Sequence, residues 1–247
     1  MHPRQQALLQ YLAEHRRVSV TELAARLKVS EVTIRQDLSQ LSEQGFLKRR
    51  HGFAEALDQD DPDVRMQANF ATKVGLARHA AALVADGETV FIEGGSANAL
   101  LARELANRSQ VTVITVSHYI AHLLRDGDCT VVLLGGQLQK GSESLVGPLT
   151  RRSLDWVYFS KAFIGIDGYT PQSGFTSRDM MRADIVHAVL AKGADNIVLS
   201  DASKFGQLAP NPLDPDGMIV RVITDAGIDS GLARALRERG LTLDLIG

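Results

Sequence analysis

The spacing of apolar positions changes character along the chain. Leu8, Leu9 and Leu12 recur at helical intervals and predict a helix over residues 4–15. Residues 18–20 read as a short extended piece. Ser19 and Glu22 form an S-x-x-E capping box that opens a second helix over about 21–27, burying Leu23, Ala24 and Leu27. After a turn at Lys28-Val29-Ser30 comes a third helix, capped by Ser30 and running to Gln44, with Ile34, Leu38 and Leu41 on one face. Its other face carries Val32, Thr33, Gln36, Ser39 and Gln40, with Arg35 on the flank. Gly45 stops it, and residues 46–54 read as a strand and turn. A later helix, ended by Asp86-Gly87, places Phe70, Val74, Ala77, Ala81 and Val84 on one stripe. From residue 89 onward, apolar runs at 89–92, 111–115, 130–134, 162–166, 196–199, 219–224 and 242–245 alternate with helical patterns at 97–106, 119–124, 178–190 and 231–239. Such alternation predicts a largely parallel sheet covered on both faces.

Composition divides the same chain in two. Overall it is 45% hydrophobic and 23% charged, with a net charge of -2, an ordinary globular balance. Residues 1–54, however, hold nine Lys/Arg against five Asp/Glu, and residues 55–63 hold five acids and no base. A basic head followed by an acidic, Pro62-containing stretch predicts three parts: a head at 1–56 that meets something anionic (on charge alone, a solvated basic patch would serve as well), a linker at 57–63 and a larger domain at 64–247. Cys129 is the single cysteine, which excludes an intramolecular disulfide and favours a reducing compartment. No run approaches the ~18 apolar residues of a membrane span, and a cytoplasmic location is expected.

Two short helices joined by a tight turn, the second polar on its outer face, are a helix-turn-helix arrangement. The following strand and turn, with Lys48, Arg49, Arg50 and His51, fit a β-wing. Its cations would neutralise phosphates, while Ser30, Thr33, Arg35, Gln36 and Gln40 would face base edges. A small helical bundle used for protein contacts is the blander alternative. Val18-Ser-Val-Thr-Glu-Leu-Ala, Val29-Ser-Glu-Val-Thr-Ile-Arg-Gln-Asp-Leu and Arg50-His51-Gly52 resemble the winged helix-turn-helix of the DeoR family of bacterial transcriptional regulators. Gln36 stands where that pattern usually has a second Arg, and Phe53 where it has a second Gly. The first difference shifts the expected preference from guanine toward adenine. The pattern also places Arg65, Asn69 and Lys73 on a helix bridging the two domains.

In the larger domain, attention falls on loops at the carboxyl ends of the strands, where parallel sheets bind ligands. Glu93-Gly94-Gly95-Ser96-Ala97-Asn98 links a strand to a helix, so free N–H groups and the helix dipole face the turn. A plain tight turn would leave the same trace. Gly135-Gly136 (with Lys140 near), Ile166-Asp167-Gly168, Gly174-Phe175-Thr176 and Ser200–Gly206 follow other strands. This ordered series resembles the DeoR-family sensor domain, closest to a YciT-like branch and similar in fold to ribose-5-phosphate isomerase. That resemblance implies a phosphorylated sugar or related metabolite as effector, with Ser96 in the phosphate loop and Asp167, Thr176 and Lys204 near the pocket. The usual acid followed by Ser-Gly-Thr-Thr is replaced here by Glu93-Gly-Gly-Ser-Ala, and Val116 replaces a typical Asn.

The fold expected is therefore α/β, a winged helix-turn-helix joined to a sensor domain. The function expected is a metabolite-controlled regulator, most simply a repressor, binding double-stranded DNA as a homo-oligomer without cofactor or metal. The effector contacts are expected from residues 93–98, Gly136, Asp167, Thr176 and Lys204. His118 and His122 have the i, i+4 spacing of two zinc ligands but lack a third. Cys129, before a strand read as buried, is a core thiol, and Asp184 is a surface acid near arginines. The competing class is a sugar-phosphate isomerase or deaminase with a DNA-binding head, using Glu93, Asp167, Asp179 or Asp201 as base.

Overall fold

A computed structural model describes residues 3–15, 17–43, 46–56, 65–66 and 68–247. It divides into two compact units, 1–68 and 69–247. The expected linker at 57–63, the Gly45 helix stop and Gln44 at the end of the third helix lie outside the described residues.

In the first unit, α1 (Pro3–His15), α2 (Val20–Leu27) and α3 (Glu31–Glu43) surround a core of Leu8, Leu12, Val18, Leu23, Ile34, Leu38, Leu41 and Ala54. The extended piece is β1 (Arg17–Ser19), and Val20 already belongs to α2. Ser19 caps that helix by accepting from the Glu22 N–H at 3.1 Å. Only half of the capping box forms, because the Glu22 carboxylate accepts instead from the Tyr11 hydroxyl at 3.0 Å. Lys28 ends α2 in the left-handed region, at φ 53°. Ser30 then caps α3, its hydroxyl accepting from Thr33 N–H at 3.1 Å. The wing is the antiparallel pair β2 (Leu47–Arg50) and β3 (Phe53–Ala56), with β3 also pairing β1.

The second unit is built on a seven-stranded sheet in which every neighbouring pair is parallel. Its strands are β4 (Thr89–Ile92), β5 (Thr112–Thr115), β6 (Thr130–Leu133), β9 (Lys161–Ile164), β12 (Asp195–Leu199), β14 (Ile219–Asp225) and β15 (Thr242–Ile246). Each of the seven apolar runs read from the sequence is one of these strands. The spatial order is β15-β14-β12-β9-β4-β5-β6. The chain thus winds from β4 outward through β5 and β6, then returns to β4's other side with β9. The crevice between β4 and β9 is a topological switch point, where the loops leaving neighbouring strands diverge. Cys129 is buried, and burial pushes its thiol pKa up, but β6 is an edge strand with Leu133 exposed rather than a buried one.

The helices are α4 (Phe70–Ala82), α5 (Ser96–Leu105), α6 (His118–Leu123), α7 (Pro148–Ser153), α8 (Met180–Leu190) and α9 (Ser230–Glu238). The stripe expected on α4 is rotated. Phe70 is 48% exposed, and the buried positions are Lys73, Leu76, Ala77 and Ala80. Two small antiparallel sheets sit among the connections: β7 (Gln137–Gln139) with β8 (Ser144–Val146), and β10 (Gly168–Thr170) with β11 (Gly174–Ser177) and β13 (Asn211–Pro212).

Candidate functional site

On α3 the buried stripe is the expected one, with Ile34, Leu38 and Leu41 each at 0% exposure. Opposite it, Val32, Arg35, Gln36, Ser39 and Gln40 line a shallow open cleft. Their surroundings differ. The Gln36 side chain makes no hydrogen bond among the described residues, so its amide keeps both a donor and an acceptor open. Arg35 is held by Glu31 at 2.9 Å. Ser30 and Thr33 share a hydroxyl contact of 2.9 Å beside the helix start. The Gln40 oxygen accepts from Gln5 Nε2 at 2.9 Å.

The wing's cations do not act as one row, because strand residues alternate faces. Arg49 reaches Ser39 on α3 at 2.5 Å, tying wing to helix. Arg50 faces the other way and lies 3.6 Å from Glu55, which Arg17 also approaches at 3.5 Å. Lys48 stands directly opposite Glu55 in the ladder. Lys48, Arg49 and Arg50, adjacent in sequence, are therefore not equivalent. The pairing register makes Glu55 a partial neutraliser of one face and leaves Arg49 on the side of α3. His51 is exposed at the hairpin tip beside Gly52, whose φ is 75°.

In the second unit, the loops leaving β4 and β9 meet at the switch point. Gly95 takes φ 116°, a conformation that L side chains rarely adopt, and so aims the loop into α5. Ser96 opens α5, and its hydroxyl makes no hydrogen bond among the described residues. Ser117 and Ser144 stand close by: an added Cβ on Gly94 would lie 3.1 Å from Ser144 Oγ and 3.9 Å from Ser117 Cβ. Backbone amides at a helix start with nearby hydroxyls make an anion-compatible corner.

Two residues expected to touch the effector are instead turned inward. Glu93 is 1% exposed. Its carboxylate accepts from Gly165 N–H (3.0 Å), Arg182 Nε (2.5 Å) and Arg182 Nη2 (2.8 Å). Asn98 donates its amide to the carbonyls of Glu93 (3.0 Å) and Phe163 (3.1 Å), pinning β4's loop to β9. Both build the corner rather than line its mouth. Asp167 is likewise engaged, accepting from Ser177 Oγ (3.2 Å), Arg178 N–H (3.0 Å) and Arg182 Nη1 (2.9 Å).

Arg182 joins these elements. It enters the body on α8, whose N-cap Asp179 accepts from the Arg182 backbone N–H at 2.8 Å and from Gln139 Nε2 at 2.8 Å. Burial disfavours the charged guanidinium, but Glu93 first, then Asp167 and Asp179, outweigh this and raise its pKa. Arg182 is not among the site residues expected from the sequence. Its signal was position, since Arg182, Ile185, Val186 and Val189 have the i, i+3, i+4, i+7 spacing of a buried stripe.

The remaining expected residues are dispersed along the same rim. The Gly136 backbone passes so close to Thr150 that an added Cβ would lie 1.8 Å from its Oγ1, so its glycine answers to packing. Thr176 is 3% exposed and accepts from Ala209 N–H at 3.1 Å. It borders an open cleft of about 520 Å3 with Ser173, Leu208, Ala209, Pro210 and Pro212. Lys204 is half-buried on a short turn (Ala202–Lys204) after β12. Ala97 is buried at the start of α5. Lys140 is exposed, and His118 is paired with Glu143 at 3.0 Å. Asp184 pairs with Arg151 at 2.5 Å. Among the described residues no cluster of three or more His, Cys, Asp or Glu is placed to hold a metal.

A second buried ion pair lies behind β12. Lys73 Nζ is 3.6 Å from Asp201 Oδ2, and Asn69 Nδ2 donates to Asp201 Oδ1 at 3.3 Å. Burial would push the Asp201 carboxyl up. The hydrogen bond from Ser203, the Lys73 charge and the Asn69 contact outweigh it, and the pKa is lowered. Asn69 and Lys73 thus both meet Asp201 within the second unit.

Comparison with known proteins follows the same division. A DeoR-like helix-turn-helix domain model matches residues 4–60, and a DeoR C-terminal sensor domain model matches residues 68–226. The chain is 30% identical to the HTH-type transcriptional regulator GolR of Listeria innocua serovar 6a, over 98% of this chain and 97% of the relative. It is 28% identical to a putative aga operon transcriptional repressor of Escherichia coli O157:H7, over 99% and 93%. To the L-fucose operon activator of Escherichia coli K12 it is 27% identical, over 90% and 94%. Among solved structures, ribose 5-phosphate isomerase A from Methanocaldococcus jannaschii aligns with 56% of this chain and 55% of its own, at 24% identity and a TM-score of 0.42. No helix among the described residues is long and apolar enough to cross a membrane.

Proposed function

The chain belongs to the DeoR family of transcriptional regulators, a DNA-binding head joined to a sensor domain, and we propose that its sensor responds to a phosphorylated sugar held at the β4–β9 switch point. The observation that carries this reading is the corner opened by Gly94, Gly95 and Ser96. There, helix-start amides and a hydroxyl without a protein partner among the described residues face the place where a parallel sheet binds ligands. On this reading residues 1–56 read DNA, 57–63 link, and 64–247 sense and oligomerise. Two heads would then meet two half-sites about 34–36 Å apart or a multiple of that. The effector works by favouring one of two states, so it must bind them with unequal affinity.

Thr33, Gln36 and Gln40 on α3 are assigned to base edges, and Arg49, with Lys48, Arg50 and His51, to phosphates. Around the effector, Gly94, Gly95 and Ser96 would touch the anion, while Glu93, Asn98 and Asp167 hold the loop in shape.

Engagement of the carboxylates favours this reading over catalysis. Glu93 and Asp167 are bonded to Arg182, Asp179 caps α8 and holds Gln139, and Asp201 is paired with Lys73. A general base needs a carboxylate within reach of substrate, and these four are spent on the protein. The test is a thermal-shift titration with aldose and ketose phosphates beside their unphosphorylated parents. Stabilisation by a phosphorylated member, about 2.7 kcal/mol at 100 times Kd, is expected for the natural chain and absent in Ser96→Asp. Saturable isomerase or deaminase turnover would contradict the proposal.

A further inference from the structure

We propose that Gln5, a residue of α1, decides which group of the Gln40 amide faces DNA and thereby sets base preference at one operator position. The inference rests on reading α3 as the base-contacting helix. Asp37, paired with the Arg4 guanidinium at 2.5 and 3.1 Å, is a carboxylate and can only accept. Gln5 Nε2 lies 3.4 Å from Asp37 Oδ1 and 2.9 Å from Gln40 Oε1. Turning the Gln5 amide around would set its oxygen against the carboxylate, so its NH2 must occupy this position. Gln40 is then obliged to offer its oxygen to Gln5 and to send its own NH2 outward. Polarity is relayed from a buried acid, through a buried amide, to the exposed reading face.

Burial makes the relay effective. Gln5 is 7% exposed and Asp37 5%, which leaves little room for water to take over either bond. Gln36, on the same cleft, has no such partner among the described residues. The two glutamines of α3 therefore read differently. Gln36 presents donor and acceptor together and suits the N6/N7 edge of adenine. Gln40 presents donors only. It suits guanine O6/N7 or thymine O4 and disfavours cytosine, whose major-groove group is the N4 donor.

Selection of randomised duplexes by the full chain, read by sequencing, tests this with Gln5→Leu, Gln5→Glu, Gln40→Ala and Gln36→Ala beside the natural sequence. One operator position should favour guanine or thymine over cytosine by roughly fivefold or more, and Gln40→Ala should erase that preference. Gln5→Leu frees the Gln40 amide to turn, so the same position should come to accept adenine while the others stay unchanged. Gln5→Glu supplies an acceptor to Gln40 and should turn its oxygen outward, moving the preference toward cytosine or adenine. If Gln5→Glu fails to fold beside Asp37, Gln5→Leu still decides. The relay is refuted if Gln40→Ala alters one position and Gln5→Leu leaves that position as it was. Base preference left unchanged by both Gln36→Ala and Gln40→Ala would instead refute the reading of α3, and the relay with it.

Discussion

At the scale of single residues, the chain hides charged and polar groups inside apolar stripes. Arg182 heads the stripe Ile185, Val186 and Val189, and Lys73 heads Leu76, Ala77 and Ala80. Gln5 shares a face with Leu8 and Leu12. Each is buried and finds a partner far off in sequence. Removing one member of a buried ion pair leaves a charge uncompensated, which costs about 3–5 kcal/mol. Glu93→Gln should therefore lower the unfolding free energy by roughly that amount, and Glu93→Met combined with Arg182→Met by less than the sum of the single changes. Urea unfolding of these variants beside the natural chain checks both. Asp201 adds a pH dependence. Its folded pKa lies below the ordinary 3.8, so its contribution is complete above that value and is lost as pH falls through the folded one. Lys73→Met removes part of what lowers it. The stability gap between Lys73→Met and the natural chain should be widest near pH 5 and narrow toward pH 3 in urea titrations, about one unit either side of that ordinary value.

At the scale of elements, α3 is proposed to set sequence choice and the wing to supply affinity. Arg49 is expected to contact phosphate from its position beside Ser39. Arg49→Ala should weaken binding to every duplex and reduce the salt slope by about 0.9 for each phosphate it no longer neutralises. Gln36→Ala should relax discrimination at one or two base pairs by about 1–3 kcal/mol each. Fluorescence anisotropy across salt concentrations separates the two behaviours. The elements themselves were legible in uneven degree. All seven strands of the main sheet stood out because each carries a run of apolar residues, the central ones buried on both faces and the edge strands β6 and β15 only in part. The small sheets at residues 137–146 and 168–177 did not, because short polar and glycine-bearing pieces carry no period. On α4 the alanines blurred the stripe, and the buried Lys73 sat where a charge is read as solvent-facing. The glycine turn at 93–96 was visible in outline, but its supporting shell was not. Arg182 is 89 residues from Glu93, and no local pattern links them.

At the scale of the whole molecule, the winding of the sheet gathers chemistry at one place. Because β9 returns beside β4 rather than beyond β6, the loops carrying Glu93–Ser96 and Gly165–Asp167 become neighbours, and α8 delivers Arg182 between them. The same family holds relatives named as a repressor and as an activator. An anion at this corner is proposed to control DNA binding by the head. This control is tested most directly by measuring the affinity of the full chain for its operator while titrating phosphorylated sugars and their unphosphorylated parents. A phosphorylated compound should change that affinity by about 5- to 150-fold, its parent sugar should not, and Ser96→Asp should bind operator normally but ignore both. A Ser96→Asp protein that responds as the natural chain does would contradict the account.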